Sequence, residues 1–416
     1  MQSAAHQEKH FQQYIIDRLV EQGWKLGDSK FYDTERAVYP KDLENWIKTS
    51  GQQEKWDKLE RLNGAKTLEV LMARLDKALE KQGTMQVLRQ GFSIAGCGLI
   101  EMTEAAPEDK RNEAVIQRYQ ANILRVVPEL KYHPARDFAI DLVLFINGLP
   151  VATVELKTDF TQSCEAAMDQ YRNDRLPYDA RTKRREPLLT FKRGAVVHFA
   201  MSDSEIMMAT KLDGENTFFL PFNKGRKDES GAVHAGNPPG EIKADGTQEY
   251  PVAYFWEAVC QPDAWLRIFH SFVYVETKDV VDIQGNWSKK ETLIFPRFHQ
   301  WTAVNQMLAD ARQNGAGMTY LCDHSAGSGK TSTISWTAHD LVKLREDNGD
   351  AVFNSVIIVT DRNVLDGQLQ DAVKQIDHQF GVIAAIDRQK SSKSKSKQLS
   401  EALLSGTPIV VVTIQT

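Results

Sequence analysis

Two acidic residues and a lysine near the middle of the first half of the chain have the types and spacing for work on a phosphodiester. Asp141, Glu155 and Lys157 lie on either side of a short turn within residues 138–157. Carboxylate oxygens from neighbouring strands suit a hard divalent cation such as Mg²⁺, which keeps several waters and takes further oxygens from a phosphate substrate. A cation held by Asp141 and Glu155 would polarise the phosphate and lower the pKa of an attacking water. Lys157 would orient that water or stabilise the charge of the transition state.

Whether these residues meet depends on strand parity. Apolar and β-branched runs flank Asn147-Gly148, a strong hairpin signal. With Asn147-Gly148 alone as the loop, Asp141 pairs with Val154 and points away from the face carrying Glu155. With Ile146, Asn147 and Gly148 as a three-residue loop and Gly148 at the left-handed position of a bulge, Phe145 pairs with Leu149 and the parity reverses. Asp141, Thr153, Glu155 and Lys157 then share one face. Ile140, Leu142, Leu144, Ala152, Val154 and Leu156 make the other, apolar face. Only the three-residue loop assembles a site, so it is the expected form. The bland alternative is a salt-bridged sheet face, since Asp, Glu and Lys are common residues.

A second chemical signature lies downstream. Residues 319–322 read as a short buried strand that enters Asp323-His324-Ser325-Ala326-Gly327-Ser328-Gly329-Lys330-Thr331, ahead of a helical pattern with Ile334, Ala338, Leu341 and Val342. In that context the loop is a phosphate cradle. Backbone N–H groups around Gly327, Ser328 and Gly329 would hold phosphate oxygens, Lys330 would reach the outer phosphates, and Thr331 would ligate Mg²⁺. His324 stands where the strict pattern has its first glycine. Upstream, Gln300 has an amide able to read adenine, with Phe298 available to stack, so ATP is the expected nucleotide. Residues 355–360 and 408–414 read as further apolar strands, followed by Asp361-Arg362 and Gln415. Residues 388–397 are a Ser/Lys run, expected as a loop in reach of DNA.

These residues need two scaffolds. At 416 residues the chain exceeds what one compact core usually holds. Residues 6–23 form an amphipathic helical pattern with Glu8 in its first turn, residues 38–79 are helical and charged, and residues 123–132 read as a strand before the hairpin. A short helix at 163–172 and a buried strand at 195–201 follow. Helix, strands, helix and strand in that order predict a mixed α/β layer. Arg172, Arg175, Arg181, Lys183, Arg184 and Arg185 form a basic rim suited to a phosphate backbone. Residues 223–250 are rich in Gly, Pro and charge and read as a long surface loop, and the domain boundary is expected within 277–293. A net charge of −5 leaves any DNA contact to local patches. The four cysteines lack metal-ligand spacing, and no apolar run approaches the ~18 residues of a membrane span. With no secretory signal at the N-terminus, a cytoplasmic location and no membrane partner are expected.

Together these residues resemble the amino-terminal part of the restriction (R) subunit of type I restriction-modification enzymes. Asp141 with Glu155-Leu156-Lys157 resembles the family's PD-(D/E)XK nuclease site, with Ile140 in place of the usual proline. Arg297-Phe298-His299-Gln300, the loop 324–331, Val359-Thr360-Asp361-Arg362 and Val412-Thr413-Ile414-Gln415 resemble successive superfamily 2 motor motifs. Of the family's Gln-x-x-x-Tyr helix, Tyr171 matches while Ala167 stands at the glutamine position, with Gln170 nearby. The resemblance implies an α/β nuclease domain over 1–276 and a RecA-like ATPase lobe over 277–416, with the second motor lobe and the acidic motor motif missing. It further implies an ATP-dependent double-strand DNA translocase and endonuclease that assembles with modification (methyltransferase) and specificity subunits. Other classes left open are a stand-alone helicase-nuclease in repair or phage defence and a non-catalytic DNA-clamping module.

Overall fold

The computed structural model describes residues 4–107, 111–159, 163–179, 181–281, 285–360, 369–370, 373, 383–386 and 394–413. The chain divides into two compact units: Met1–Ala106 with Asn112–His270, and Pro107–Arg111 with Ser271–Thr416.

The first unit is built on a mixed sheet. Its strands are β1 (Lys25–Leu26), β2 (Leu124–Lys131), β3 (Ala139–Ile146), β4 (Leu149–Leu156), β5 (Val197–Met201), β6 (Ile206–Ala209) and β7 (Leu220–Pro221), paired in that order. Parallel pairing joins β1 to β2 and β4 to β5, and the other neighbours run antiparallel. All eight residues of β4 are buried, which suits an apolar, β-branched strand covered on both faces. Helices α1 (Ala4–Glu21), α2 (Pro40–Thr49), α3 (Gln53–Asn63), α4 (Thr67–Gln82) and α5 (Cys164–Asn173) bury apolar stripes such as Leu71, Met72, Leu75 and Leu79. A bidentate Arg125–Asp42 pair at 2.5 and 2.7 Å carries two charges into this interior.

The central hairpin reaches the expected parity by another route. Ile146 pairs with Leu149, so the loop is the two residues Asn147 and Gly148, not three. Both have positive φ, 49° and 87°, as a tight primed turn requires. The register then shifts: Phe145 faces Pro150, but Leu144 faces Ala152, leaving Val151 as the extra residue of a bulge. Pro150 has no N–H to give the ladder, which makes the bulge natural there. The Val151 carbonyl is taken up instead by the Val196 N–H at 3.0 Å. One bulge reverses parity as surely as one extra loop residue. The next residues beyond the pair Leu142–Val154 are Asp141 and Glu155, directly across the hairpin.

The turn is locked from outside the hairpin. Asn147, fully buried, accepts from the Ile123 N–H at 2.6 Å and donates to the Met102 carbonyl at 2.8 Å. A Cβ on Gly148 would meet the Tyr39 carbonyl oxygen at 2.7 Å, and the positive φ adds strain. Gly148→Ala is therefore expected to cost about 1–3 kcal/mol, read as a lower urea midpoint at unchanged slope.

The second unit holds an antiparallel hairpin, β8 (Tyr274–Val281) with β9 (Trp287–Ile294), and a parallel sheet of β10 (Val356–Thr360), β12 (Ile409–Thr413) and β11 (Ile383–Ala385) in that order. Helices α6 (Phe298–Asn314), α7 (Lys330–Lys343) and α8 (Lys395–Leu404) accompany them. The hairpin occupies most of the stretch where the sequence placed a boundary. Tyr274 packs with Phe272, Val304, Leu308 and Trp336, which ties the hairpin's base to this unit.

One expected element does not form. Residues 319–322 are not a strand, and Leu321 is 93% exposed. A short apolar run reports hydrophobicity, but a strand exists only where a neighbour takes up its N–H and C=O groups, and this stretch finds none among the described residues. The Ser/Lys loop expectation also ends early: residues 388–393 lie outside the described residues, while Lys395 and Lys397 open α8.

Candidate active site

Asp141, Glu155 and Lys157 are brought together at the far end of the hairpin. Asp141 Oδ2 accepts the Leu156 N–H at 2.6 Å, which fixes the carboxylate to the strand bearing Glu155. Glu155 is fully buried; Oε1 accepts from Arg175 Nε at 2.6 Å, and Oε2 has no hydrogen-bond partner among the described residues. Lys157, 8% exposed, donates to the Leu156 carbonyl at 2.8 Å and lies 3.5 Å from Glu8 Oε1 on α1. Gln12, one turn along the same helix, donates to the Asp141 carbonyl at 2.8 Å and to Glu129 at 3.1 Å.

The sequence did not foresee how enclosed this face is. Helix α5 covers it, and Thr153 Oγ1 lies 2.8 Å from both Tyr171 OH and His198 Nδ1. Burial pushes His198 down to about 3, so the ring is neutral and serves as a fixed hydrogen-bonding partner. Arg175, expected on an open basic rim, is buried against Glu155. Arg172 pairs with Glu165 and Asp169, and Arg184 with Glu35, which leaves Arg181 and Lys183 as exposed cations of that group without a carboxylate in ion-pair range among the described residues. Glu8, Gln12 and His198 are the residues that sequence reasoning did not assign to the site. Only Glu8 carried a visible signal, as an acidic residue expected in the first turn of an amphipathic helix; the helix begins at Ala4, which puts Glu8 past that turn.

The donor set fits a hard cation. An orphaned carboxylate oxygen in a fully buried position, with a second carboxylate across the hairpin, matches the oxygen ligands that Mg²⁺ takes. Asp141 and Glu155 would hold it, supplying Lewis acidity toward a phosphate when bound. Without a cation, burial raises Glu155 well above the usual carboxylate range, Asp141's charge adds to this, and Arg175 and Lys157 oppose it. Burial also raises Glu8, against the pull of Lys157.

That shift has a sign for stability. Between the unfolded carboxylate value of about 4.3 and the raised folded value, the folded chain binds the extra proton, so cation-free stability falls as pH rises through that window. Glu155→Gln has no proton to lose there. Urea unfolding in chelator across the carboxylate-to-neutral range should show a pH-dependent decline in the parent that is shallower in the variant, with Glu186, pushed up to about 7 by burial, still contributing to it.

In the second unit the phosphate-loop residues cluster around Gln300. Gly327 and Gly329 have φ of 73° and 82°, and α7 begins at Lys330. Gln300 is 5% exposed; its Nε2 donates to the Gly329 carbonyl at 2.9 Å, and its Oε1 accepts the Arg297 N–H at 2.9 Å. A Cβ on Gly329 would meet Gln300 Nε2 at 2.4 Å, so the glycine is what lets the amide brace the loop. His299 Nε2 lies 3.1 Å from the Ser328 carbonyl. Lys330 Nζ donates to the His324 and Ser325 carbonyls at 2.7 and 2.9 Å, folding back over its own loop. Ser328 Oγ is buried without a partner among the described residues, and Thr331 follows Lys330 in the first turn of α7. Glycine backbone, a lysine folded over the loop and an orphaned hydroxyl are features that a nucleotide phosphate would use. Asp361, Arg362 and Gln415 lie outside the described residues.

Comparison with known proteins divides the chain along similar lines. Residues 299–416 match the SWI2/SNF2 ATPase family, and residues 6–217 match the N terminus of the type I restriction enzyme R protein. The chain is 24% identical over 265 residues to the "Putative type I restriction enzyme MjaVIIIP endonuclease subunit" of Methanocaldococcus jannaschii, covering 61% of this chain and 21% of that relative. With a family model matched over residues 6–217, just over half of its length, this chain belongs to the type I restriction enzyme R protein family.

Proposed function

We propose that the chain supplies the cutting and driving parts of a type I restriction enzyme. In this reading residues 1–276 are a Mg²⁺-dependent DNA endonuclease domain of the PD-(D/E)XK kind, and residues 277–416 are the first RecA-like lobe of an ATP-dependent double-strand DNA translocase. The observation that carries the reading is the Asp141–Glu155 pair across the bulged hairpin, with an unpartnered Glu155 oxygen and Lys157 beside it. Lys157 is held by a carbonyl and by Glu8, so its ammonium is positioned to orient water or offset developing negative charge. Gln300, Gly327, Ser328, Gly329, Lys330 and Thr331 form the proposed ATP site, with Thr331 as its Mg²⁺ ligand. Modification and specificity subunits are the proposed partners that choose the DNA target.

The Glu155–Arg175 ion pair favours one other reading, a clamp whose carboxylates are structural. A cleavage assay with Mg²⁺, ATP, DNA and the partner subunits separates the two. Parent protein should cut DNA only with the cation, and Glu155→Ala should not cut. Equal cutting by both would leave the clamp reading standing and remove the nuclease assignment.

A further inference from the structure

We infer that His133, Asp179 and Glu186 form a zinc-class divalent metal site in the first unit, separate from Asp141, Glu155 and Lys157 and sharing no residue with them. Among the described residues, this is the group of three potential ligands whose donor atoms lie within 4.8 Å of one another. The side chains of His133, Asp179 and Glu186 are 8%, 2% and 3% exposed.

The two spacings from the imidazole match the edges of a tetrahedral site, and the two carboxylate oxygens lie within 4.8 Å of each other. Zinc with ligands at ~2.0–2.1 Å has donor-to-donor edges of about 3.4 Å. His133 Nε2 lies 3.4 Å from Glu186 Oε1 and 3.5 Å from Asp179 Oδ2. Both Glu186 oxygens are buried with no hydrogen-bond partner among the described residues, although one of them points at the imidazole. A buried carboxylate left in that state asks for a cation. One imidazole nitrogen with two carboxylate oxygens selects a metal that takes mixed N/O donors, in contrast to the all-oxygen set that suits Mg²⁺.

The ligands are presented by fixed backbone. Asp179 Oδ1 is occupied by the Arg181 and Thr182 N–H groups at 2.9 and 2.6 Å and by Thr182 Oγ1, which leaves Oδ2 facing His133. Arg136 Nη2 also reaches that oxygen, at 2.9 Å, so one guanidinium already shares the charge. The Glu186 N–H donates to the Pro177 carbonyl at 3.0 Å. Nδ1 of His133 accepts the Ala135 N–H at 3.1 Å, so without metal the ring proton sits on Nε2, facing the carboxylates. Metal at Nε2 requires that proton to move to Nδ1, and the exposed bend at Ala135 lets its N–H turn to solvent. Asp179 and Glu186 bracket a tight hairpin in which Tyr178 bridges to Arg185 and which carries Arg181, Lys183 and Arg184. The metal would clip the base of this basic hairpin to His133, two residues past the end of β2.

The test uses the chain stripped with chelator in an Asp141→Ala background, which removes a carboxylate of the candidate nuclease face. Equilibrium dialysis against Zn²⁺ should give one ion per chain, and Co²⁺ substitution should give the visible absorption of a tetrahedral site. His133→Ala and Glu186→Gln should each weaken zinc by more than the ~10–100-fold that loss of an outer partner costs. Trypsin should cut at Arg181 to Arg185 more slowly with zinc than without it, and only when His133 and Glu186 are intact. The isosteric Glu186→Gln, checked by circular dichroism, guards against mere unfolding of His133→Ala. Failure of the stripped, natively folded chain to take up zinc would overturn the proposal. So would folded variants that bind zinc as tightly as the background protein.

Discussion

Asp141→Ala in the assembled enzyme is expected to lower DNA strand breakage by at least about 10²–10³-fold, the scale on which loss of a single preorganised electrostatic group acts. ATP turnover should stay near the parent rate, because the proposed ATP site at Gln300 and residues 327–331 shares no ligand with the hairpin. Strand breaks and ATP hydrolysis are measured in the same reaction. Asp141 also accepts the Leu156 N–H at 2.6 Å, so alanine leaves that donor unpaired at a cost of about 1–3 kcal/mol. Asp141→Asn keeps an acceptor there while removing the charge, and it should lose cutting with less loss of stability. Loss of both activities in a folded, assembled variant would mean that the hairpin gates the motor.

Lys330→Ala should abolish ATP-driven translocation. In the loop 324–331 it is the lone lysine or arginine, and Arg297 and the neutral His299 cannot extend the same charge from the loop's own helix. Burial lowers His299, and the neighbouring Arg297 lowers it further, so this ring does not supply a replacement charge at neutral pH. The lysine is exposed and, among the described residues, bonds only to two carbonyls of its own loop, so its removal should leave folding stability within about 0.5 kcal/mol. A triplex-displacement assay reads translocation directly, with thermal unfolding as the fold control. Translocation that persisted in Lys330→Ala would show that this loop is not the motor's phosphate site.

The sequence determined the local features whose causes are local. Asn147-Gly148 dictates a turn with positive φ because few other residue pairs tolerate it. Apolar period fixed the strands at 124–131, 139–146, 149–156 and 197–201 to within a residue or two. The glycines, lysine and threonine of 327–331 announced a tight glycine loop and the start of its helix. Tertiary structure decided the rest. The face shared by Asp141 and Glu155 depends on a bulge at Val151, where the Val196 N–H, just ahead of β5 and 45 residues away, takes up the Val151 carbonyl. Three-residue loop and two-residue turn with bulge give the same parity, so the sequence pattern could not distinguish them. Enclosure of the site is likewise non-local: Arg175 reads as surface charge until α5 and the chain after it bring it against Glu155. Residues 319–322 show the converse, since an apolar run becomes a strand only when another strand offers its hydrogen bonds. The grouping of His133 with Asp179 and Glu186 was invisible for the same reason: no spacing in sequence encodes three ligands that only the folded chain gathers.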